Sequence, residues 1–311
     1  MKNIIIILLL AIPVFVKAQQ DPQYSQYMFN HVVINPAYAG SKNMLNATLL
    51  VRKQWVGVDG SPQTNSASVH GPIKSKKIGL GAHIIAEQIG PKKWGAAYGD
   101  FSYRIKLGNA HLSFGASAGM ISYQYDFNKI NYADASEITV NVNELNKNRT
   151  RFDANVGVYY YSNAMFAGYS MTHLTEPNLY DIVASSNASA SALVFNLKRH
   201  HFFTLGRGFQ LSEKVIFSPS VIVKSTGMKS GNTVDLNLNF LLNQKLWLGT
   251  SIRSSKTVVV LAQYSISNYF KAGYAFDFGF NRFSRNGGSH EVMLNYSFGK
   301  LNSHIISPRY L

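Results

Sequence analysis

Apolar and polar side chains alternate through most of this chain, most clearly in its C-terminal third. From Val234 to Phe240, apolar residues occupy every second position, and polar residues such as Asp235 and Asn237 lie between them. Residues 270–280 repeat the pattern. Because successive side chains of a β-strand point to opposite faces, each segment has one apolar and one polar face. The pattern predicts strands that lie between an apolar medium and water.

The segments have the length that crosses a bilayer as tilted strands, which is about 9–11 residues. We place them at residues 45–53, 64–71, 78–88, 94–107, 110–125, 151–161, 164–172, 197–210, 214–224, 233–242, 245–254, 257–266, 269–280 and 289–299. The predicted fold is therefore all-β, a transmembrane antiparallel β-barrel of about 14 strands. A mean hydropathy of −0.05 agrees, since half of each strand would face water.

The connections between these segments also alternate in length. The short ones are turn-forming pairs or triplets at residues 108–109, 162–163, 211–213, 243–244 and 267–268. The two longest span about residues 126–150 and 173–196, whereas the connection at 254–256 is shorter than the trend requires. In outer-membrane barrels the short turns face the periplasm and the longer loops face outward. Pro219, which cannot donate to a ladder, predicts a bulge in its strand.

The N-terminus has the composition of a secretory signal. Lys2 precedes an apolar run from Ile4 to Val16, and cleavage is expected near Ala18. This run is too short for a transmembrane helix, which needs about 20 apolar residues. The predicted organisation is a signal peptide at 1–18, an N-terminal plug or periplasmic arm at 19–42, an outer-membrane barrel at 43–299 and a periplasmic tail at 300–311.

Composition excludes several classes of function. The chain has no cysteine, which excludes disulfides, thiol catalysis and cysteine metal sites. Its net charge is +15, but the basic residues are scattered and form no nucleic-acid recognition motif, so we expect no nucleic-acid partner. Outer-membrane lipid, an acidic protein partner, a charged lumen or simple solvation of loops would each account for the charge.

Strand parity places a group of charged residues in the lumen. They are Arg52, Glu87, Asp100, Arg104, Arg253 and Glu291. Such a group is either a structural ion-pair network that fills the barrel or a ligand site, and parity does not separate the two.

Catalytic pairings are not expected. His200-His201 and His290-Glu291 are neighbours along strands, so their side chains point to opposite faces and neither pair can converge on one ion or substrate. The chain also has no nucleophile elbow, because its one G-x-S-x-G match, at residues 115–119, lies within the strand predicted at 110–125 and not on a strand-to-helix turn. We therefore predict no catalytic residues, no cofactor and no metal.

Two N-terminal motifs resemble a known family. They are Gln20-Asp21-Pro22-Gln23-Tyr24-Ser25-Gln26-Tyr27-Met28-Phe29-Asn30 and Asn35-Pro36-Ala37-Tyr38-Ala39-Gly40. Weaker matches follow in residues 52–57, 60–62, 89–91, 103–105, 152–157, 289–294 and 307–310. Together they resemble the PorP/SprF family of type IX secretion system outer-membrane proteins over essentially the whole mature chain.

The resemblance implies a non-enzymatic barrel in the outer membrane of a Gram-negative bacterium. Its implied partners are a secreted or surface protein with a type IX sorting domain, of the gliding-adhesin type, and other components of the type IX machinery. The family supplies no catalytic residues. Candidate partner-contact or plug residues are Tyr24, Tyr27, Asn30, Asn35, Pro36, Tyr38, Arg52 and Trp55. A solute channel and a barrel-embedded lipid hydrolase are the alternatives.

Overall fold

The computed structural model of the chain is a closed antiparallel barrel of 14 strands. It describes residues 21–73, 76–126, 148–183, 192–227, 232–280 and 287–298. The predicted all-β barrel is confirmed. Within these ranges, no helix is both long enough and apolar enough to cross a membrane.

The described residues form seventeen strands in chain order. Their bounds are β1 Leu45–Lys53, β2 Gln63–Pro72, β3 Ile78–Ile89, β4 Lys92–Leu107, β5 Ala110–Tyr125, β6 Arg149–Tyr161, β7 Met165–Thr172, β8 Asn178–Val183, β9 Ala192–Asn196, β10 His200–Arg207, β11 Phe209–Ser212, β12 Val215–Ser225, β13 Thr233–Leu242, β14 Leu246–Arg253, β15 Thr257–Ser265, β16 Phe270–Gly279 and β17 Ser289–Phe298.

The barrel closes between its first and last strands. β1 pairs with β17 in an unbroken register from Leu45 opposite Phe298 to Lys53 opposite His290. Every neighbouring pair around the ring is antiparallel. We call the end where β1 starts and β17 finishes the short-turn end, and the opposite end the long-connection end. Closure leaves no free edge in the ring of barrel strands, so their backbone N–H and C=O groups can pair with a neighbouring strand, as a bilayer requires.

One barrel strand is broken into two pieces. β10 and β11 both pair with β12, from His201 opposite Ser225 to Gly206 opposite Ser220 and then from Phe209 opposite Phe217. The bulge expected at Pro219 is not in its own strand, because β12 pairs with β13 without a register shift. The ladder is instead interrupted in the neighbouring piece between Gly206 and Phe209, opposite the proline that lacks an N–H.

One further difference concerns the long connection predicted at about residues 173–196. It contains the separate antiparallel pair β8–β9. The other long connection lies mostly outside the described residues, as do the predicted signal peptide and C-terminal tail.

The two faces of the barrel differ as alternation requires. Large apolar side chains such as Leu49 and Ile84 are more than half exposed on the outside, where lipid would cover them. Inward positions carry buried polar residues, among them Arg52, Asn237 and Glu291. On β16, Ala275 and Asp277 are buried while Tyr274 and Phe278 are exposed.

Candidate functional site: the lumenal segment and its anchors

Residues 21–42 lie inside the barrel, and we call them the lumenal segment. The segment makes three single 3-10 turns, at Tyr27–Phe29, His31–Val33 and Pro36–Tyr38. Almost all of its side chains are buried, and Met28 and Tyr38 have no exposed surface. Turns this short expose many backbone groups, so the strands around them must supply hydrogen-bond partners.

Asn35 and Pro36 shape the third turn. The Asn35 side-chain oxygen accepts from the backbone N–H of Ala37 at 3.0 Å, while its amide nitrogen donates to the carbonyl of Val158 at 3.1 Å. Proline at the first helical position is favourable, because its ring presets φ and it has no N–H to satisfy. The Asn-Pro pair thus makes a capped turn and ties it to β6.

Glycines on three strands let this turn approach the barrel wall. A β-carbon at Gly115 of β5 would overlap the backbone of Pro36 and Ala37. One at Gly79 of β3 would overlap the carbonyl of Ala39, and one at Gly157 of β6 would overlap the Asn35 side chain. We call Gly79, Gly115 and Gly157 the glycine floor. Only residues without a side chain permit this packing.

Aromatic side chains surround the turn from the lumen side. The Tyr38 ring packs against the rings of His31, His70 and Tyr159, with centroid distances of 5.1, 5.3 and 5.3 Å. Nearer the start of the segment, the Asn237 amide of β13 donates to the Tyr27 hydroxyl. The Ser68 hydroxyl of β2 donates to the Asn30 side-chain oxygen at 2.9 Å. The segment therefore contacts strands on several sides of the barrel.

A buried ion network holds the start of the segment, just before its first turn. Arg52 of β1 pairs with Asp277 at 2.7 Å and with Glu291 at 3.3 Å. Glu291 also accepts from the backbone N–H groups of Ser25 and Gln26, at 2.8 and 2.7 Å. The Ser25 hydroxyl donates to Asp277 at 2.6 Å. The network thus binds the segment through its backbone as well as through its side chains.

The network continues along the neighbouring strands. Arg253 bridges Asp277 at 3.5 Å and Asp235 at 3.1 Å, and Lys224 pairs with Asp235 at 3.0 Å. Of the six charges assigned to the lumen, the structure joins Arg52, Arg253 and Glu291 into one network.

The other three predicted lumen charges are buried but separate. Glu87 accepts from the Thr64 hydroxyl at 3.0 Å, and Asp100 pairs with His83 at 2.9 Å. Arg104 donates to the Tyr161 hydroxyl at 3.3 Å, while its Nε and Nη2 atoms have no partner in the described part of the chain. Which inward side chains come into contact depends on the curvature of the barrel, and strand parity gives no information on that curvature.

Trp55 lies outside the lumen, in the β1–β2 connection at the long-connection end. It is partly exposed, and its φ of 45° is uncommon for a residue other than glycine. Its backbone N–H donates to the Ser289 hydroxyl at 3.3 Å, and the next N–H, of Val56, donates to the carbonyl of Gly288 at 2.9 Å. The connection is therefore tied to the start of β17.

Sequence reasoning missed a polar cluster at the start of the segment. His173 follows β7, with Nε2 lying 2.8 Å from Asp21 and Nδ1 lying 2.7 Å from Asp153. Burial alone would lower the pKa of His173, but attraction and hydrogen bonds from the two carboxylates raise it to about 10. Strand parity could have placed Asp153 inward, as it could Asp235 and Asp277. No local pattern marks His173, because it lies just beyond the end of a strand.

Comparisons with solved structures agree on the fold. The chain is similar to the CymD monoaromatic hydrocarbon channel, with 12% identity, a TM-score of 0.51 and coverage of 88% of this chain and 93% of that one. A FadL homologue from Pseudomonas aeruginosa shows 10% identity, a TM-score of 0.50 and coverage of 90% and 95%. The Pseudomonas putida toluene transporter TodX shows 11% identity, a TM-score of 0.48 and coverage of 86% and 92%. At these identities the similarity extends to the barrel fold alone.

Sequence comparison identifies the family. No curated protein matches the chain. The family model of the type IX secretion system membrane protein PorP/SprF matches residues 16–296, which include the lumenal segment and all the barrel strands except the last two residues of β17. This chain is therefore an outer-membrane β-barrel that belongs to the PorP/SprF family of type IX secretion system membrane proteins.

Proposed function

We propose that this barrel keeps its lumen closed with the lumenal segment and supports the secretion or surface retention of a partner protein that carries a type IX sorting domain. The observation that carries the proposal is the burial of residues 21–42 inside the barrel. A filled lumen is unsuited to free diffusion of solutes. It is suited to a rigid body that presents its loops to another protein, and membership of a secretion family supplies the system in which it acts.

The anchors of the segment support a stable closure. Its start is held by Glu291 and Asp277, its middle by Ser68 and Asn237, and its third turn by the glycine floor. Opening the lumen would require these buried polar groups to lose their partners together, and each unsatisfied buried group costs about 1–3 kcal/mol. We therefore assign Tyr24, Tyr27, Asn30, Asn35, Pro36 and Tyr38 to the plug, not to the partner-contact surface.

Trp55 is the residue that we assign to partner contact. Partly exposed aromatic residues are enriched at protein interfaces, and backbone strain at a non-glycine residue often marks a functional site. Beside it, Lys53, Asp59, Gln63 and Gln88 line an open polar pocket of about 390 Å³. Arg52, by contrast, is buried within the ion network and acts as a structural residue.

The two ends of the chain, the orientation of the barrel and its other partners fit this role. Residues 1–18 direct export and are removed near Ala18, which leaves Asp21 close to the mature N-terminus. Residues 300–311 form a periplasmic tail, and the long-connection end faces outward, where a surface protein would be held. Contacts with other type IX components and with outer-membrane lipid complete the set of partners. The barrel itself is not an enzyme.

Gene deletion with complementation tests the proposal. In the deletion strain, we expect one or a few sorting-domain proteins to disappear from the surface proteome while uptake of small solutes is unchanged. Complementation with Trp55→Ala should restore these proteins only partly. Leu211→Ala, which truncates an exposed side chain at the short-turn end, should restore them fully. An unchanged surface proteome with reduced uptake of a solute would establish the channel alternative instead.

Conductance provides a second readout. The purified protein should show no conductance in planar bilayers, and removal of residues 21–42 should open a conducting pore. Steady conductance of the intact protein, at the level of the truncated one, would contradict closure by the lumenal segment.

A further inference from the structure

Two histidines and an aspartate converge where the lumenal segment begins. Asp21 lies near the start of the segment, His173 directly follows β7, and His200 is the first residue of β10. One ligand atom from each residue can be chosen so that all three lie within 4.8 Å of one another. Both histidines are only 4% exposed. Three segments that are distant in sequence thus bring metal-ligating groups together inside the barrel.

His173 has the surroundings of a metal-binding imidazole. Its Nε2 faces Asp21, while its Nδ1 lies 2.7 Å from Asp153. Imidazoles that bind a metal usually donate their other ring N–H to a carboxylate, which fixes the tautomer and the ring orientation. Asp153 is itself fixed by hydrogen bonds from the Tyr98 hydroxyl at 2.7 Å and the Thr175 hydroxyl at 2.9 Å. The outer support of a metal ligand is therefore in place.

His200 contributes a second imidazole with an unused nitrogen. Its Nδ1 lies 3.0 Å from the carbonyl of Lys198 and 3.6 Å from the Asp21 carboxylate. Its Nε2 is buried and has no hydrogen-bond partner among the residues that the structure describes. The nitrogen that faces Asp21 is Nδ1, so an ion shared with Asp21 would take the place of the Lys198 carbonyl at this nitrogen.

Asp21, His173 and His200 also line one cavity of about 60 Å³ with Tyr98 and Trp94. This space is large enough for an ordered water molecule. Three protein ligands and one water complete a tetrahedral zinc shell. Imidazole nitrogen with a carboxylate suits zinc and its neighbours among the transition metals, whereas calcium and magnesium prefer sets made entirely of oxygen.

We propose that Asp21, His173 and His200 bind a divalent transition-metal ion of the zinc class, with water from the cavity in the fourth position. The ion fastens the start of the lumenal segment to the ends of β7 and β10. The site differs from the expectation of no metal, because its three ligands come from separate segments and not from neighbouring residues along one strand. The proposal does not depend on the proposed function, since it concerns the attachment of the segment to the wall. Without metal, a proton shared by His173 and Asp21 would occupy the same place.

Metal content tests the site directly. The full mature chain, folded in detergent and carrying no histidine tag, is treated with EDTA, re-equilibrated with Zn²⁺ and analysed by elemental mass spectrometry. We expect one zinc ion per chain. His200→Gln and Asp21→Asn should lose it, and Asp153→Asn should weaken binding by about 10- to 100-fold, the usual effect of removing an outer-shell carboxylate.

His83→Gln is the matched control, because His83 is also buried and paired with a carboxylate, Asp100 at 2.9 Å, but belongs to no such cluster among the described residues. It should keep the full zinc content. Binding of Co²⁺ to the unmodified protein supplies a readout that needs no variant, since a tetrahedral site with nitrogen and oxygen ligands gives characteristic visible absorption. Absence of stoichiometric zinc from the unmodified protein, or an unchanged zinc content in a folded His200→Gln variant, would overturn the proposal.

Discussion

Arg52 and Arg104 offer a direct test of how the lumenal segment is held. Both guanidinium groups are buried, at 2% and 4% exposure, and both lie on inward positions of the barrel. Arg52 pairs with two carboxylates, whereas the Arg104 guanidinium donates one hydrogen bond in the described part of the chain, to the Tyr161 hydroxyl. Methionine fills a similar volume without charge. The substitutions Arg52→Met and Arg104→Met therefore compare how much a buried arginine paired with carboxylates and a buried arginine without them contribute to the free energy of unfolding.

The expected magnitudes follow from the partners that each substitution leaves behind. Removing one partner of a buried ion pair costs about 3–5 kcal/mol, because the other charge stays buried and unpaired. Glu291 keeps the N–H groups of Ser25 and Gln26, and Asp277 keeps the Ser25 hydroxyl and Arg253. We therefore expect Arg52→Met to lower the free energy of unfolding by about 3 kcal/mol, the lower end of this range.

Arg104→Met leaves no carboxylate unpaired in the described part of the chain. It also removes two guanidinium nitrogens that have no partner there. Replacing a buried charged group by an apolar one of similar size is often neutral or stabilising. We expect a change within about 1 kcal/mol of zero, or a gain in stability.

Equilibrium unfolding in urea, with the protein folded into detergent or lipid vesicles, measures both differences. Limited proteolysis of residues 21–42 provides a local readout, and cleavage should accelerate in Arg52→Met alone. Equal destabilisation by the two substitutions, or a larger effect of Arg104→Met, would refute the role assigned to the ion network.

Three further experiments test other parts of the structure. Leu49→Arg places a cation on the lipid face at the middle of β1 and should lower the free energy of unfolding by about 2–4 kcal/mol. Leu45→Arg, on the same face near the barrel end, should lower it by about 0–1 kcal/mol. Equal losses in vesicle unfolding assays would mean that the two positions lie at the same depth. Gly115→Ala should displace the third turn and increase conductance in planar bilayers, because its β-carbon would overlap Pro36 and Ala37. The β-carbon of Gly99→Ala would meet nothing within 4 Å, so this variant should show no conductance. Asn35→Ala removes the cap of the same turn and should lower stability by about 1 kcal/mol in urea titrations; no loss would show that the glycine floor alone sets the turn.

The strand pattern could be predicted because it is local. Alternation along β13 and β16 depends only on the two-residue period of a strand, and this period alone can place Asp235 and Asp277 opposite the lipid face. The same parity placed Arg52, Glu87, Asp100, Arg104, Arg253 and Glu291 inward, where the structure buries all six.

The contacts made by those side chains could not be predicted in the same way. Parity gives a face, but neither the height nor the angle around the barrel, so it did not divide the charges between the ion network and the separate partners of Glu87, Asp100 and Arg104. The same limit applies to His200. Its separation from His201 was predicted, whereas its approach to His173 and Asp21 was not.

The class of fold follows from local sequence, because two-residue periodicity and segments of bilayer length are properties of short stretches of chain. Its N-terminal motifs also indicated the family. The position of residues 21–42 inside the barrel depends on long-range contacts, because the partners of Ser25 lie as many as 266 positions away, on β17. Strand registry around the closed ring brings those partners to one height in the lumen. The glycine floor depends on the same registry, since Gly79, Gly115 and Gly157 form one surface only when β3, β5 and β6 are aligned in the barrel.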